Sequence, residues 1–288
     1  MPAPPIAEAP AAPPHVGRLV LLGHPVAHSL SPRFQNAALA AARLGMRYEA
    51  LNVAPVALDD ALDELARVRG AGNATVPHKE AVAARCAVLS PVAARVGAVN
   101  TFWHDPDGRL VGDNTDVGGF DRAARVLVDV GRPQRVTVVG AGGSAAAVLA
   151  AAAAWPNATA RVWSRRPERA AALVARYAGF AEPASALADA LDGATLVVNA
   201  TPLGLRADDP PPVPVDALPT AAAVYDLVYA PPRTAWVRAA RAAGHPAEDG
   251  LGMLVEQGAL AFERWFGRTP DRATMWAALA DVTAARGG

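Results

Sequence analysis

The 288-residue sequence holds one cysteine, Cys86, and one lysine, Lys79, among 27 Lys plus Arg residues. A single cysteine excludes a disulfide framework and a thiolate metal cluster, and it accords with a reducing cytoplasm. Charge of one sign is also missing: 27 basic residues face 27 acidic ones, for a formal net charge of zero. With no basic surplus there is no electrostatic footprint for nucleic acid or for a membrane surface. The six histidines are scattered without ligand spacing, so no metal is expected. The first fifteen residues, MPAPPIAEAPAAPPH, lack the basic start and apolar centre of a signal peptide. Their Pro and Ala content reads as a disordered tail, expected to run to residue 17.

One long uncharged run is present, residues 136–160, and a membrane span has to be weighed against it. Gly140, Gly142, Gly143 and Pro156 interrupt it and much of the rest is alanine. A strand, a glycine turn and a buried helix account for that pattern better. The scarcity of lysine points the other way. In a chain that uses arginine almost everywhere, the surroundings of Lys79 are the first place to look for chemistry.

The chain is long enough for two modest domains, each with its own core. RLVLLG (18–23) reads as a buried strand, and Ser31 as the N-cap of a helix with Pro32 in its first turn and Gly45 at its end. RYEALNV (47–53) and NATVP (73–77) read as further strands, with the helix ALDDALDELARVRG between them. This alternation predicts a small α/β domain up to about Asp116. VGGFDRAARVLVDVG reads as a linking helix; then RVTVV, ATARVWSR (158–165), TLVVNATP (195–202) and AVYDLVY (223–229) are strand candidates separated by Ala-rich helices. That outline is a doubly wound parallel sheet. DDPPPVP (208–214) is a loop by its prolines, and the stretch after Gly252 is an amphipathic helix expected to pack back on the first domain. The expected fold class is therefore α/β in two domains, 18–115 plus 251–288 and 116–250.

Gly140-Ala141-Gly142-Gly143-Ser144-Ala145 is the G-x-G-x-x-A form of the dinucleotide fingerprint, standing after a strand and before a helix. The first glycine allows the turn, the second lets backbone approach a pyrophosphate, and the small third position lets helix and strand lie close. The helix N–H groups and dipole then face the anion. After the next strand stands Ser164-Arg165-Arg166-Pro167-Glu168-Arg169, where an acidic residue would select NAD. Arginines suit a 2′-phosphate, which favours NADP(H) as cofactor. Glu168 is contrary, and solvated surface charge is the plain alternative.

GHPVAHSLSP (23–32), NATVPHKE (73–80), AVNT (98–101), GDNTD (112–116), GAGGS (140–144), NATP (199–202) and GLGMLVEQ (250–257) together resemble the shikimate dehydrogenase family, in the family's order. The resemblance implies a substrate domain, a cofactor domain and a returning C-terminal helix. It also implies an enzyme that reduces the ketone of 3-dehydroshikimate with NADPH, in aromatic amino acid biosynthesis. Lys79 and Asp116 then match the catalytic pair. Hydride delivery to a ketone develops an alkoxide, which needs a nearby proton and positive charge. An opposite charge favours the charged form of an ammonium, by about 4 kcal/mol at a separation of about 4 Å and an effective dielectric of about 20. The plain alternatives are a surface lysine after a strand, and for Asp116 a helix N-cap; the second can coexist with catalysis.

By the same resemblance Ser29 and Ser31 hold the substrate carboxylate, while Thr75, Asn100, Tyr229 and Gln257 hydrogen-bond its ring hydroxyls. Leu227 and Gly250 line the nicotinamide. Simple capping by Ser31 is the rival reading there. Thr75 stands two residues after Asn73, which places both on one side of a strand. His78 stands where an aromatic is common in the family, and Ser164 where asparagine is frequent. The rivals in function are a quinate/shikimate dehydrogenase of broader substrate and cofactor use, and a non-catalytic ligand-binding regulator on the same scaffold. A cytoplasmic monomer or homodimer is expected.

Overall fold

A computed structural model describes residues 15–206 and 208–284. The described residues form two compact units, one of residues 15–119 with Leu254–Ala280, the other of Phe120–Met253 with residues 281–284. The expected boundaries fall at the starts of two helices, 115/116 and 250/251; the units divide inside those helices, at 119/120 and 253/254.

In the first unit the chain runs β1 (Arg18–Gly23), α1 (Ser31–Ala41), β2 (Tyr48–Asn52), α2 (Leu58–Arg67) and β3 (Gly70–Ala74). It continues through α3 (Lys79–Arg85), β4 (Val88–Leu89), α4 (Pro91–Val96), β5 (Thr101–His104) and β6 (Leu110–Asp113). The sheet order is β2-β1-β3-β5-β6-β4. β1 is parallel to β2 and β3, whereas β5 is antiparallel to both β3 and β6. The plain strand–helix alternation read from the sequence thus gives way to a mixed sheet. β5 and β6 make a hairpin closed by Asp105–Gly108, where the Asp105 carboxylate accepts the N–H groups of Asp107 and Arg109. Val20, Leu22, Leu62, Leu65, Val82, Val99 and Phe102 pack into this unit's core.

The second unit carries α5 (Asp116–Ala124), β7 (Arg135–Val139), α6 (Gly143–Ala152), β8 (Thr159–Trp163), α7 (Pro167–Val174), β9 (Ala181–Pro183) and α8 (Leu187–Leu191). Then come β10 (Leu196–Asn199), β11 (Ala223–Asp226), α9 (Ala235–Ala242), β12 (Ala247–Asp249), α10 (Leu251–Phe266), α11 (Arg272–Ala277) and α12 (Ala280–Ala284). Helices α5 and α10 pass from one unit into the other, and α11 belongs wholly to the first. The order β12-β11-β10-β7-β8-β9 is all parallel, the doubly wound arrangement in which the chain runs outward through β7, β8 and β9 and then returns to lay β10 on the other side of β7. The uncharged run 136–160 resolves into β7, a glycine turn and α6, whose alanines 145, 146, 147, 151 and 152 are all buried. Small side chains on every side let a helix be enclosed without voids. Among the described residues no helix is long and apolar enough to cross a membrane.

Within the first unit the C-terminal segment packs on α1. Gln35 Nε2 donates to the Gly258 carbonyl at 2.8 Å, Arg33 to that of Ala278 at 2.8 Å, and Trp265 lies 5.9 Å from the Tyr48 ring.

Several sequence expectations need correction. The third strand is Gly70–Ala74 rather than 73–77. Beyond it Thr75 N–H donates to the Leu22 carbonyl and the Val76 carbonyl accepts the His24 N–H, but Pro77 has no N–H to continue a sheet and His78 N–H turns back to Thr75. Ser31 is the first helical residue and not the N-cap; Leu30 occupies that position without a side-chain cap. The linking helix expected over 117–131 ends at Ala124. Its remaining VLVDV is rich in β-branched residues, which favour helix poorly, and Val126 is exposed. Residues 1–14 of the expected tail lie outside the described residues. At its end Val16 is buried and Gly17 N–H donates to Arg69, so the packed chain starts before β1.

Candidate active site and cofactor turn

Lys79 opens α3 directly after the turn that ends β3, and Asp116 opens α5 directly after β6. Their side chains meet, Nζ donating to Oδ2 at 2.6 Å, with the aspartate side chain 6 % exposed and the lysine 16 %. Asn100, just before β5, donates Nδ2–H to Asp116 Oδ1 at 2.8 Å. The same amide group stands 3.1 Å from Gln257 Oε1 on α10, and its Oδ1 accepts the Thr115 N–H at 2.7 Å. Each carboxylate oxygen of Asp116 is therefore held from a different direction. One charged donor and one neutral donor fix its plane, and that plane fixes where the ammonium sits.

Behind the pair the loop Asp113–Asp116 is built on a second aspartate. Asp113 Oδ2 accepts from Arg264 Nε of α10 at 2.7 Å, and Oδ1 accepts from the Ser90 hydroxyl and from the Asn114 N–H. Asn114 in turn donates to the Ala98 carbonyl. Lys79 is held by its backbone too, the Val99 N–H donating to its carbonyl at 2.9 Å. Every one of these groups belongs to the same compact unit.

Ser29 Oγ accepts the Ser31 N–H at 3.2 Å, so the two serines share one turn at the start of α1, Ser31 buried and Ser29 partly so. Thr75 is partly buried, one residue beyond β3. Asn73, within the strand, is spent on structure, accepting from the Tyr48 hydroxyl and donating to the Asn100 carbonyl. Gln257 Nε2 donates to Leu254, leaving Oε1 toward Asn100. Tyr229 lies in the other unit, beyond the end of β11 and partly buried.

In that other unit the glycine turn links β7 to α6. Gly140 has φ +117°, and a Cβ there would stand 2.8 Å from the Ala200 carbonyl oxygen after β10. Glycine is thus required on both counts, conformation and space. Gly142 is the N-cap of α6 without a side-chain cap, and a Cβ there would meet nothing within 4 Å. A methyl group would project into open space in front of the helix start. Gly143, Ser144 and Ala145 follow as the first helical residues, with N–H groups that the helix itself does not use, and Ala145 is fully buried. The turn sits beside the β7–β10 reversal, where such sheets bind nucleotides. After β8, Ser164 Oγ accepts the Arg166 N–H at 3.2 Å, and Arg165, Arg166 and Arg169 are exposed, as is Glu168. Gly250 N–H donates to Val228, and a Cβ at Gly250 would stand 2.2 Å from the Leu227 carbonyl oxygen, so these segments are in close contact.

Residues 21–102 match the model of the shikimate dehydrogenase substrate binding domain, and residues 250–280 that of the shikimate 5'-dehydrogenase C-terminal domain. The NADP(+) shikimate dehydrogenase of Methylobacterium radiotolerans is 42 % identical over 263 residues, 88 % of this chain and 92 % of that protein. That of Rubrobacter xylanophilus is 43 % identical over 266 residues, 90 % of this chain and 94 % of its own. The chain belongs to the shikimate dehydrogenase family. Among solved structures, Thermus thermophilus shikimate 5-dehydrogenase in complex with NADP(H) and shikimate is similar, with a TM-score of 0.82 and 40 % identity over 92 % of this chain and 99 % of that one.

His78, a departure from the family's pattern, has a structural place. The His78 ring is buried and its Nε2 lies 2.7 Å from the Val53 carbonyl oxygen, which ties the lysine-bearing turn to the end of β2. A carbonyl only accepts, so that nitrogen carries the proton. The sequence reading missed the groups that hold the pair in place, Ser90, Asp113 and Arg264. Asp113 lies inside the GDNTD motif and was within reach; Ser90 and Arg264 carry no local signal.

Proposed function

We propose that the chain catalyses the reversible NADPH-dependent reduction of 3-dehydroshikimate to shikimate. The observation that carries this reading is the 2.6 Å Lys79–Asp116 pair, braced by Asn100 and Gln257. NADPH, when bound, supplies the hydride. Lys79 Nζ gives a proton to the ketone oxygen as negative charge develops there, and takes it back in the oxidation direction. Asp116 keeps the ammonium in one orientation and accepts a substrate hydroxyl on its remaining lone pairs. Ser29 and Ser31 receive the carboxylate, and Thr75, Asn100, Tyr229 and Gln257 the ring hydroxyls. These roles rest on the family's motifs and on the placement of the side chains described above.

The open space before Gly142 and the unused N–H groups of Gly143, Ser144 and Ala145 suit a pyrophosphate, with Gly140 and Ala141 completing the turn. Ser164, Arg165, Arg166 and Arg169 hold the 2′-phosphate, and Leu227 and Gly250 border the nicotinamide. The NADP(+)-dependent relatives support this choice of cofactor. A cytoplasmic location is supported by the single cysteine.

The test follows reduced-cofactor absorbance with shikimate or quinate, each with NADP or NAD. Strong turnover with shikimate and NADP alone is expected. Comparable turnover with quinate or NAD would move the chain to a broader dehydrogenase class. Absence of turnover with NADPH still bound would remove the catalytic reading.

A further inference from the structure

Asp226 ends β11 with a fully buried carboxyl group and lies outside every motif considered so far. Its Oδ1 accepts from Asn199 Nδ2 at 2.8 Å and from the Val228 N–H at 3.1 Å, and its Oδ2 accepts from the Thr234 hydroxyl at 2.7 Å. Each donor belongs to a different segment. Asn199 ends β10, and its Oδ1 accepts both the N–H and the hydroxyl of Thr201, while Nδ2 also reaches the Leu203 carbonyl. That orders the 199–203 loop, whose Ala200 carbonyl lies against Gly140 of the cofactor turn. Val228 belongs to the 227–229 segment on which Gly250 packs. Thr234 is the N-cap of α9, accepting the Val237 N–H. The charged side chain beside Asp226 is Asp249 on the neighbouring strand β12, and burial with that neighbour pushes the Asp226 carboxyl up to about 6. A buried acid next to another acid is costly, and a core built for stability alone would avoid it.

We infer that Asp226 is a positioning residue for the cofactor: through Asn199 it sets the loop that lies against Gly140 of the glycine turn, and through Val228 the segment that lies against Gly250. The inference rests on the reading of that turn as the NADP(H) site. The loops touch Gly140 and Gly250 through backbone atoms, so an error in their height transmits to the cradle with no flexible side chain to absorb it.

The experiment titrates NADPH by its fluorescence into the full-length wild type, Asp226→Asn and Asp226→Ala, each at a temperature where circular dichroism shows it folded. Asp226→Ala is expected to raise the NADPH Kd by about tenfold or more. Asp226→Asn keeps an acceptor for Asn199 and Val228 and can donate to Thr234, and it is expected to stay within about threefold of wild type. If Asp226→Ala does not fold, Thr234→Val takes its place, with an expected rise of about threefold. An unchanged Kd in the alanine variant, or in its replacement, overturns the positioning role. So does an Asn variant as weak as the Ala variant, because the hydrogen bonds would then not be what matters. Failure of the wild type to bind NADPH overturns the cofactor reading and this inference with it.

Discussion

Both carboxylate oxygens of Asp116 are engaged, Oδ2 by Lys79 and Oδ1 by Asn100, so the ammonium is delivered to one place and not swept through a cone. Replacing Lys79 by alanine removes the proton donor and leaves the glycine turn untouched. Turnover should fall by about a hundredfold or more, with the NADPH Kd little changed. Near-normal turnover in steady-state assays would take lysine out of the mechanism. The arginines after β8 act on a different quantity. Replacing Arg165 and Arg166 together should weaken NADPH much more than NADH, since only the former has a 2′-phosphate for a guanidinium to grip. Equal losses for both cofactors, measured by titration, would sink that assignment. Asp226 adds a pH signature. Burial raises its carboxyl to about 6 in the folded chain, so the native state holds this proton more tightly than the unfolded one. The stability this group contributes is fully present below the ordinary carboxylate range and is lost as the pH rises through about 6. Urea unfolding of wild type and Asp226→Asn should therefore show the wild type losing about 2–3 kcal/mol relative to the variant between about pH 4 and pH 7. A difference that does not move with pH would contradict the burial argument.

At the scale of elements, the glycine turn gives the cleanest separation of folding from binding. Gly142 has ordinary extended φ and ψ, and a Cβ there meets nothing. Gly142→Ala should leave thermal stability within about 1 kcal/mol of wild type, the usual range for a change at an N-cap. It should nonetheless raise the NADPH Kd by about tenfold, because the methyl group enters the space the pyrophosphate needs. A variant that loses stability and binding together would mean that the space is structural. This turn was readable from the sequence because its chemistry is compressed into residues 139–145, where spacing alone carries the constraint. Lys79 and Asp116 were readable for a different reason, their motifs being distinctive although 37 positions apart. The short strands β4, β9 and β12 were not, since two or three residues show no period. The β5–β6 hairpin does have a signal, Asp107-Gly108 between TFWH and RLVG, which breaks the uniform strand–helix alternation. Asp226 had none: its significance arises from partners on three separate segments.

Each unit has its own sheet and its own core, one built around Val20, Leu62 and Phe102 and the other around Val197, Val224 and Trp236. The proposed substrate groups other than Tyr229 lie in the first, and the proposed cofactor groups in the second. Hydrogen exchange should separate them. Shikimate alone should protect amides within 15–119 and 254–280, and NADPH alone those within 120–253, by mass action on whichever fold each ligand binds. Protection of the same amides by both ligands would mean that the assignment of ligands to units is wrong. The doubly wound order was the part of the whole molecule most readable in advance, because parallel strands buried on both faces appear as apolar runs such as VTVV and LVVN.

The lone lysine has a practical consequence. A protease that cuts only after lysine finds one susceptible bond in this chain, Lys79–Glu80, in the first turn of α3 and beside a tight ion pair. Cleavage there requires that turn to open. The rate of a single cut becomes a clock for the breathing of the catalytic segment, with the intact chain and two fragments as its only products, and any ligand that tightens the pair should slow it.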